Sequence, residues 1–258
     1  MGNNGQGSSN GGGGGTQRAP AATAAMVNLS QMQALAQKTG AAADAQLAQM
    51  IAEATSRKVK VYPDQQNTDT QRFVNATGLA DKKPVVVNSQ RALLNAQFTG
   101  DTVGEVIYHT DAPAPGVSDA KTFGDQYQKG RAYLSSGVYG DGTYFSNSSD
   151  GSWSYGYGNG YQIMGMLNSN ARVINRSALR TKIKAFKRSH PQAARVIRGM
   201  STGYGGTDGL ETIYAVLFGY NVVRIPSCTY RPGEHYYSVV DRSATTVVKK
   251  GVHWGENW

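Results

Sequence analysis

The chain has a single cysteine, Cys228, among 258 residues. One cysteine excludes an internal disulfide and any metal site built from a cysteine cluster, and it fits a reducing compartment. The four histidines, His109, His190, His235 and His253, form no H-x-x-x-H pair, so no metal site is expected from them either. No apolar run reaches the roughly 18 residues that a membrane span requires. The N-terminus has no apolar core of a secretory signal, and Gln6 stands where a myristoylation motif wants Ser or Thr. A cytoplasmic location without membrane attachment is therefore expected. Charged residues make up only 17% of the chain, and acid is missing from one stretch altogether. Between Tyr157 and Thr207 there is no Asp or Glu, but there are nine cations: Arg172, Arg176, Arg180, Lys182, Lys184, Lys187, Arg188, Arg195 and Arg198. The formal net charge is +9, so this stretch carries the equivalent of all of it. Such a patch suits phosphate groups or an acidic partner surface. On a soluble protein it also suits a solvated helical face.

Glycine, at 32 residues, and tyrosine, at 15, are abundant instead. Residues 1–19 are a Gly/Asn/Ser tail that cannot bury enough apolar surface to offset its chain entropy. Residues 20–57 read as a helical extension: Met26, Leu29, Met32 and Leu35 fall near helical spacing, Gly40 breaks the pattern, and Leu47, Met50, Ile51 and Ala54 resume it. Thr39 or Asp44 is expected to cap the second helix. The remainder, 58–258, reads as one α+β domain, with helices dominating early and strands late. Strands are expected at 58–62, 85–87, 103–108, 161–168, 171–174 and 222–225, and helices at 69–78, 89–98, 122–134, 177–188, 191–198 and 208–218. Tyr236–Val240 and Thr245–Val248 are expected to pair as a final hairpin across residues 241–244.

One stretch draws these pieces together. Gly140-Asp-Gly142-Thr-Tyr144-Phe145-Ser146 is a glycine turn running into a short β-prone segment; a Gly/Ser-rich loop follows, then Ser152 and Tyr155. Glycine permits a tight turn and close approach of a ligand, and a tyrosine face is a flat apolar surface for a heteroaromatic ring. Thirty-five residues before Tyr144, His109 closes a strand and is followed by Thr110, and near the C-terminus stand Glu234, Tyr236 and Asp241.

This arrangement resembles the ADP-ribosyltransferase family, in its diphtheria-toxin-like and poly(ADP-ribose)-polymerase-like branch. That branch has a His on one strand, a G-x-G-x-Y-F-[AS]-x5-S-x2-Y stretch and usually a Glu on a late strand. The middle stretch matches at every named position, and 209–242 looks like the C-terminal half of transferase domains found in phage and mobile-element proteins. The resemblance covers roughly residues 58–258 and implies a split, mainly antiparallel sheet core with flanking helices and an NAD cleft between its halves. It further implies that NAD is the substrate. Tyr155 would stack on nicotinamide and Tyr144 cover the other side, the glycine turn at Gly142 lining the pocket. The Thr110 backbone and Ser152 hydroxyl would hold the carboxamide, and His109 would hydrogen-bond the adenosine ribose. No metal is implied, because the leaving group is already a cationic pyridinium.

The late glutamate departs from the pattern. Its position falls by count at Tyr236, with Glu234 two residues earlier, and residues two apart share a strand face. Three readings stay open: Glu234 supplies the carboxylate, the site has none as in mono-transferases of this branch, or the site is inactive. The other branch of the family uses a Glu-x-Glu turn, which the five glutamates of this chain do not form. The expected activity is mono-ADP-ribosyl transfer to a protein or nucleic acid, in the host cytoplasm if the protein is phage-delivered or virion-associated. The basic stretch from Arg172 to Arg198 would meet an acidic surface or a phosphate backbone of that target. The rival readings are an inactive transferase fold serving as a virion-associated binding module and a basic RNA-binding or RNA 2′-phosphotransferase-like protein.

Overall fold

The computed structural model describes residues 27–57, 68–111, 127–128, 142–155, 161–202, 207–226 and 233–253. The expected strand at 58–62 and most of the expected helix at 122–134 lie outside these residues.

Short polar caps and glycines divide the first third of the chain. Asn28 caps α1 (Leu29–Ala36) by accepting from the Gln31 amide at 3.0 Å. Gly40, at φ 117°, opens α2 (Ala41–Ser56), which has no side-chain cap. Asp44 does not cap its own helix. Its carboxylate is buried and accepts from the backbone N–H groups of Gln192 and Ala193, each at 2.9 Å. Those amides open α7 (Pro191–Arg198), whose first residue is proline and whose own N-cap, His190, makes no capping bond. The orphan donors of one helix are thus satisfied from another. Thr68 and Gln71 form a capping box on α3 (Asp69–Ala76), and Ser89 caps α4 (Gln90–Phe98), which follows β1 (Val85–Val87).

The strands that follow are β2 (Thr102–Asp111), β3 (Thr143–Ser146), β4 (Tyr161–Asn168), β5 (Val173–Asn175), β6 (Val222–Ile225), β7 (Tyr236–Val239), β8 (Thr245–Val248) and β9 (Val252–His253). Between them lie α5 (Ser149–Tyr155), α6 (Arg176–Ser189), α7 and α8 (Glu211–Leu217). They form one open mixed sheet in the order β1-β8-β4-β2-β3-β7-β6-β5, with β9 added to β4. Two pairings are parallel, β1 with β8 and β5 with β6; the others are antiparallel.

The final hairpin expected from the sequence does not form. β7 pairs with β3 and β6, whereas β8 pairs with β1 and β4. The residues between them are a crossover. Asp241 accepts from the Ser243 amide and hydroxyl and holds Lys82 at 2.9 Å and Asn221 at 3.0 Å, fixing a 3-10 turn at Arg242–Ala244. In a flat sheet four strand spacings would separate β7 from β8, roughly 19 Å. A link containing a 3-10 turn, which rises only about 2 Å per residue, cannot cover that distance, so the sheet curls. Val222, Tyr237 and Val239 from one side of it accordingly share a core with Ile163, Leu167 and Val247 from the other.

The convex face carries the helices. Ile174, Val223, Ile225 and Tyr236 pack with Met32, Leu47, Ile51, Phe73, Leu179, Phe186, Ile197 and Ile213, so α1 and α2 share one core with α6, α7 and α8. Leu93 of α4 covers Met164, Met166 and Val248. An ion-pair knot ties α6 to α8: buried Glu211 accepts from Arg176 Nε at 2.7 Å and from Arg180 Nε at 2.6 Å. Glu211→Gln should cost about 2 kcal/mol in urea unfolding, below the full penalty for a broken buried pair because the Arg180 side chain is 47% exposed and can hydrate. A loss under about 0.5 kcal/mol would place the knot among inconsequential surface pairs.

Among the described residues, no helix is long and apolar enough to cross a membrane.

Candidate functional site

β2 and β3 meet in register at one pair, Tyr108 with Ser146. On its other side β2 pairs with β4 out to Asp111 and Tyr161. Just past the Tyr108–Ser146 pair, the His109 side chain turns to β3 and donates from Nδ1 to the Tyr144 carbonyl at 2.5 Å. A carbonyl can only accept, so Nδ1 carries the proton and Nε2 is the acceptor nitrogen of a neutral ring. The ring is buried and tilts on Phe145 at 5.6 Å. Burial pulls its pKa from 6.5 down to about 4, against the opposing effect of the Tyr144 carbonyl. The histidine is therefore neutral at physiological pH and bridges the seam of the sheet.

Thr110 points to the opposite face, by strand alternation. Its hydroxyl lies 2.6 Å from the Ser152 hydroxyl, and it accepts from Gln162 Nε2 at 3.3 Å. Ser152 belongs to α5, where the sequence predicted only a Gly/Ser-rich loop. Serine and glycine are poor helix formers, so this helix is held by partners distant in sequence. Ser148 Oγ accepts from the Gly151 amide at 3.0 Å, as an N-cap does. Gln162 accepts from the Ser149 hydroxyl at 3.0 Å and donates to the Ser149 carbonyl at 3.1 Å. The Glu234 carboxylate packs directly on the helix backbone at Gly151, where a Cβ would overlap it in its present position.

Glu234 precedes β7 rather than opening it: the strand begins at Tyr236. Its carboxylate is buried and accepts from the Ser146 hydroxyl at 2.9 Å. Tyr236 pairs with Ser146 and Ile225 and lies in the helical core. Tyr144 is half-buried, opposite Ser238, and packs on the same core. A Cβ at Gly142 would overlap Ser238 Oγ, so the close approach made by this glycine is to β7. Tyr155 ends α5, and its side chain lies outside the described residues. The structure thus brings His109 to Tyr144, and gathers Thr110, Ser152 and Glu234 around α5. Tyr236 is set into the core beneath Ser146, and Asp241 belongs to the crossover turn.

A second polar group, which no sequence motif marks, centres on Glu105. Glu105 follows Gly104, whose φ of 82° marks an irregularity in β2. It accepts from Tyr237 OH at 2.7 Å and from Asn147 at 3.4 Å, and pairs with His235. Burial alone would raise its pKa, but the bonds from Tyr237 and His235 outweigh this and hold it below the usual carboxylate range. Tyr237 is pushed up to about 12, first by burial and then by Glu105. The one signal for it in the sequence is an acid directly after a glycine inside an otherwise apolar strand.

A cleft of about 200 Å³ lies apart from this seam, lined by Lys82, Arg172, Tyr220, Asn221 and Asp241 among others. Among the described residues, no three His, Cys, Asp or Glu side chains come together so as to hold a metal ion. Comparison of the chain with protein-family models, curated proteins and solved structures finds no match.

Proposed function

We propose that the chain is an NAD-dependent mono-ADP-ribosyltransferase that modifies a macromolecular target and releases nicotinamide. The observation that supports this most is a convergence: the His109–Thr110 strand end, Tyr144 and Ser152, far apart in sequence, meet at one seam through the His109–Tyr144 and Thr110–Ser152 bonds. The single-pair junction of β2 with β3 is what a cleft between two sheet halves would need.

In this reading the Thr110 backbone and Ser152 hydroxyl grip the nicotinamide carboxamide. His109, neutral and with its Nδ1 proton committed to Tyr144, stands at the strand end where the adenosine ribose would lie. The bond between nicotinamide nitrogen and ribose breaks with its electron pair leaving on nicotinamide, and the ribose passes through an oxocarbenium-like state. A nucleophile of the target then bonds to the anomeric carbon and loses its proton. The Glu234 carboxylate stabilises the positive charge as it develops.

A second reading, an inactive transferase fold that serves as a binding module, is favoured by one observation. Glu234 accepts a bond from Ser146 and packs on Gly151, a placement suited to holding α5. NAD labelled in its adenylate half, incubated with the full chain and a cell lysate, separates the two. Release of nicotinamide and labelling of a macromolecule are expected, and a folded protein that releases none overturns the transferase reading. His109→Ala should raise KM for NAD and lower kcat together, since a misplaced ribose also misplaces the reacting carbon. Unchanged kinetics in that variant would reduce His109 to a structural bridge.

A further inference from the structure

The fold sorts the cations of the acid-free stretch into two groups. Arg176 and Arg180 are bound by Glu211, and the Arg172 guanidinium lies 5.8 Å over the Tyr220 ring. The other six, Lys182, Lys184, Lys187, Arg188, Arg195 and Arg198, are exposed. On α6, Lys184, Lys187 and Arg188 are spaced i, i+3, i+4 and turn away from buried Leu179, Ile183 and Phe186. On α7, Arg195 and Arg198 turn away from buried Ala193, Ala194 and Ile197.

Helix stability does not account for this face. Cations in a last turn gain from the helix dipole, which covers part of Lys187, Arg188, Arg195 and Arg198. Like charges at i, i+4, as at Lys184 and Arg188, work against the helix, and the dipole gives no reason to exclude acid from residues 158–206. A protein partner would need apolar anchors at the centre of its footprint. Among the described residues the large exposed apolar side chains are Val85, Val86, Leu94, Phe98, Val103 and Val173, none of them on α6 or α7. Distributed cations without such anchors match a phosphodiester backbone, whose binding is electrostatic and indifferent to sequence.

We propose that the exposed basic face of α6 and α7 is a nucleic-acid-binding surface that holds the phosphate backbone irrespective of base sequence. Binding there requires no NAD, so the proposal stands or falls independently of the transferase reading.

Fluorescence anisotropy of the full chain with a labelled duplex DNA and a labelled single-stranded RNA, each about 20 nucleotides per strand, tests it between roughly 50 and 200 mM salt. Five engaged cations predict a log–log salt slope near −4.5 on duplex. Lys184→Gln/Lys187→Gln/Arg188→Gln should weaken binding at least about tenfold and make the slope shallower by about 3, and Arg195→Gln/Arg198→Gln should make it shallower by about 2. Lys249→Gln/Lys250→Gln, which removes two exposed charges beyond β8, should change affinity less than about twofold. Circular dichroism and melting of each variant keep a folding defect from being read as lost binding. Absence of binding to both probes at the lowest salt overturns the proposal, as does an equal loss in the Lys249/Lys250 variant. Competition by polyglutamate as strong as by RNA also overturns it, in favour of an acidic polypeptide partner.

Discussion

Glu234→Gln should lower NAD turnover at least about a hundredfold while leaving NAD affinity nearly unchanged, the scale associated with loss of one electrostatic stabiliser. The substitution keeps the shape of the side chain. Its carbonyl oxygen can still accept from the Ser146 hydroxyl, and the contact with Gly151 is preserved, so α5 stays in place. What disappears is negative charge, which under the proposed transfer matters only when positive charge develops on ribose. An effect confined to turnover would therefore assign the carboxylate to the transition state. A drop in melting temperature with unchanged turnover per folded molecule would instead make Glu234 a structural tie. The companion substitution, Tyr236→Ala, should behave differently, because Tyr236 is 8% exposed in the helical core. It should cost ~3–5 kcal/mol of stability, as large-to-small core changes do, and weaken binding and turnover together. Full hydrolysis and transfer by folded Glu234→Gln would leave catalysis to positioning and to a nucleophile activated by the target.

Features set by neighbouring residues were legible in the sequence. Gly78 at the end of the expected 69–78 helix, proline at the start of α7 and Pro226 after β6 all mark ends that the structure shows. The strand carrying His109 and the Thr143–Ser146 segment were legible too, one from apolar content and the other from its glycine turn. Features set by distant partners were not. Nothing local to Ser149–Tyr155 calls for a helix; Gln162 from β4, Thr110 from β2 and Glu234 ahead of β7 hold it. Asp44 sits where it would serve its own helix, yet it caps one about 150 residues away. The short link after β7 reads as a hairpin because its length suits one, and only the curl of the sheet makes it a crossover. Within the candidate site, spacing pointed to His109, Thr110, Tyr144 and Ser152, which the fold links by two hydrogen bonds. It did not give the division of His109 and Thr110 onto opposite faces, nor the bond from the imidazole to the Tyr144 carbonyl. Both depend on where the pairing of β2 with β3 stops.

Acid should destabilise the protein between about pH 6.5 and 4.5, and His109 should be the cause. Buried in the seam, its imidazole has a folded pKa of about 4 against 6.5 when exposed. Between those values the unfolded chain binds a proton that the folded chain refuses, so stability falls as pH falls. The contribution is whole above about 6.5 and is lost as pH drops towards 4, at up to about 1.4 kcal/mol per pH unit, or ~3 kcal/mol across the window. Glu105 and Asp69 also have lowered pKa values: burial opposes the shift in each, but hydrogen bonds, from Tyr237 and His235 to Glu105 and from Ser201 and Arg72 to Asp69, outweigh it. Their contributions are present above the ordinary carboxylate values and begin to be lost only below about 4.5. The interval from pH 6.5 to 4.5 therefore separates the histidine from them. Urea unfolding at steps across this interval should show the decline in the native chain and a markedly smaller one in His109→Gln. In the native chain, the His109 ring followed by NMR should keep its Nδ1 proton and stay neutral down to about pH 5. A midpoint near 6.5 would show a solvated ring, and with it the bridge to Tyr144 would be lost.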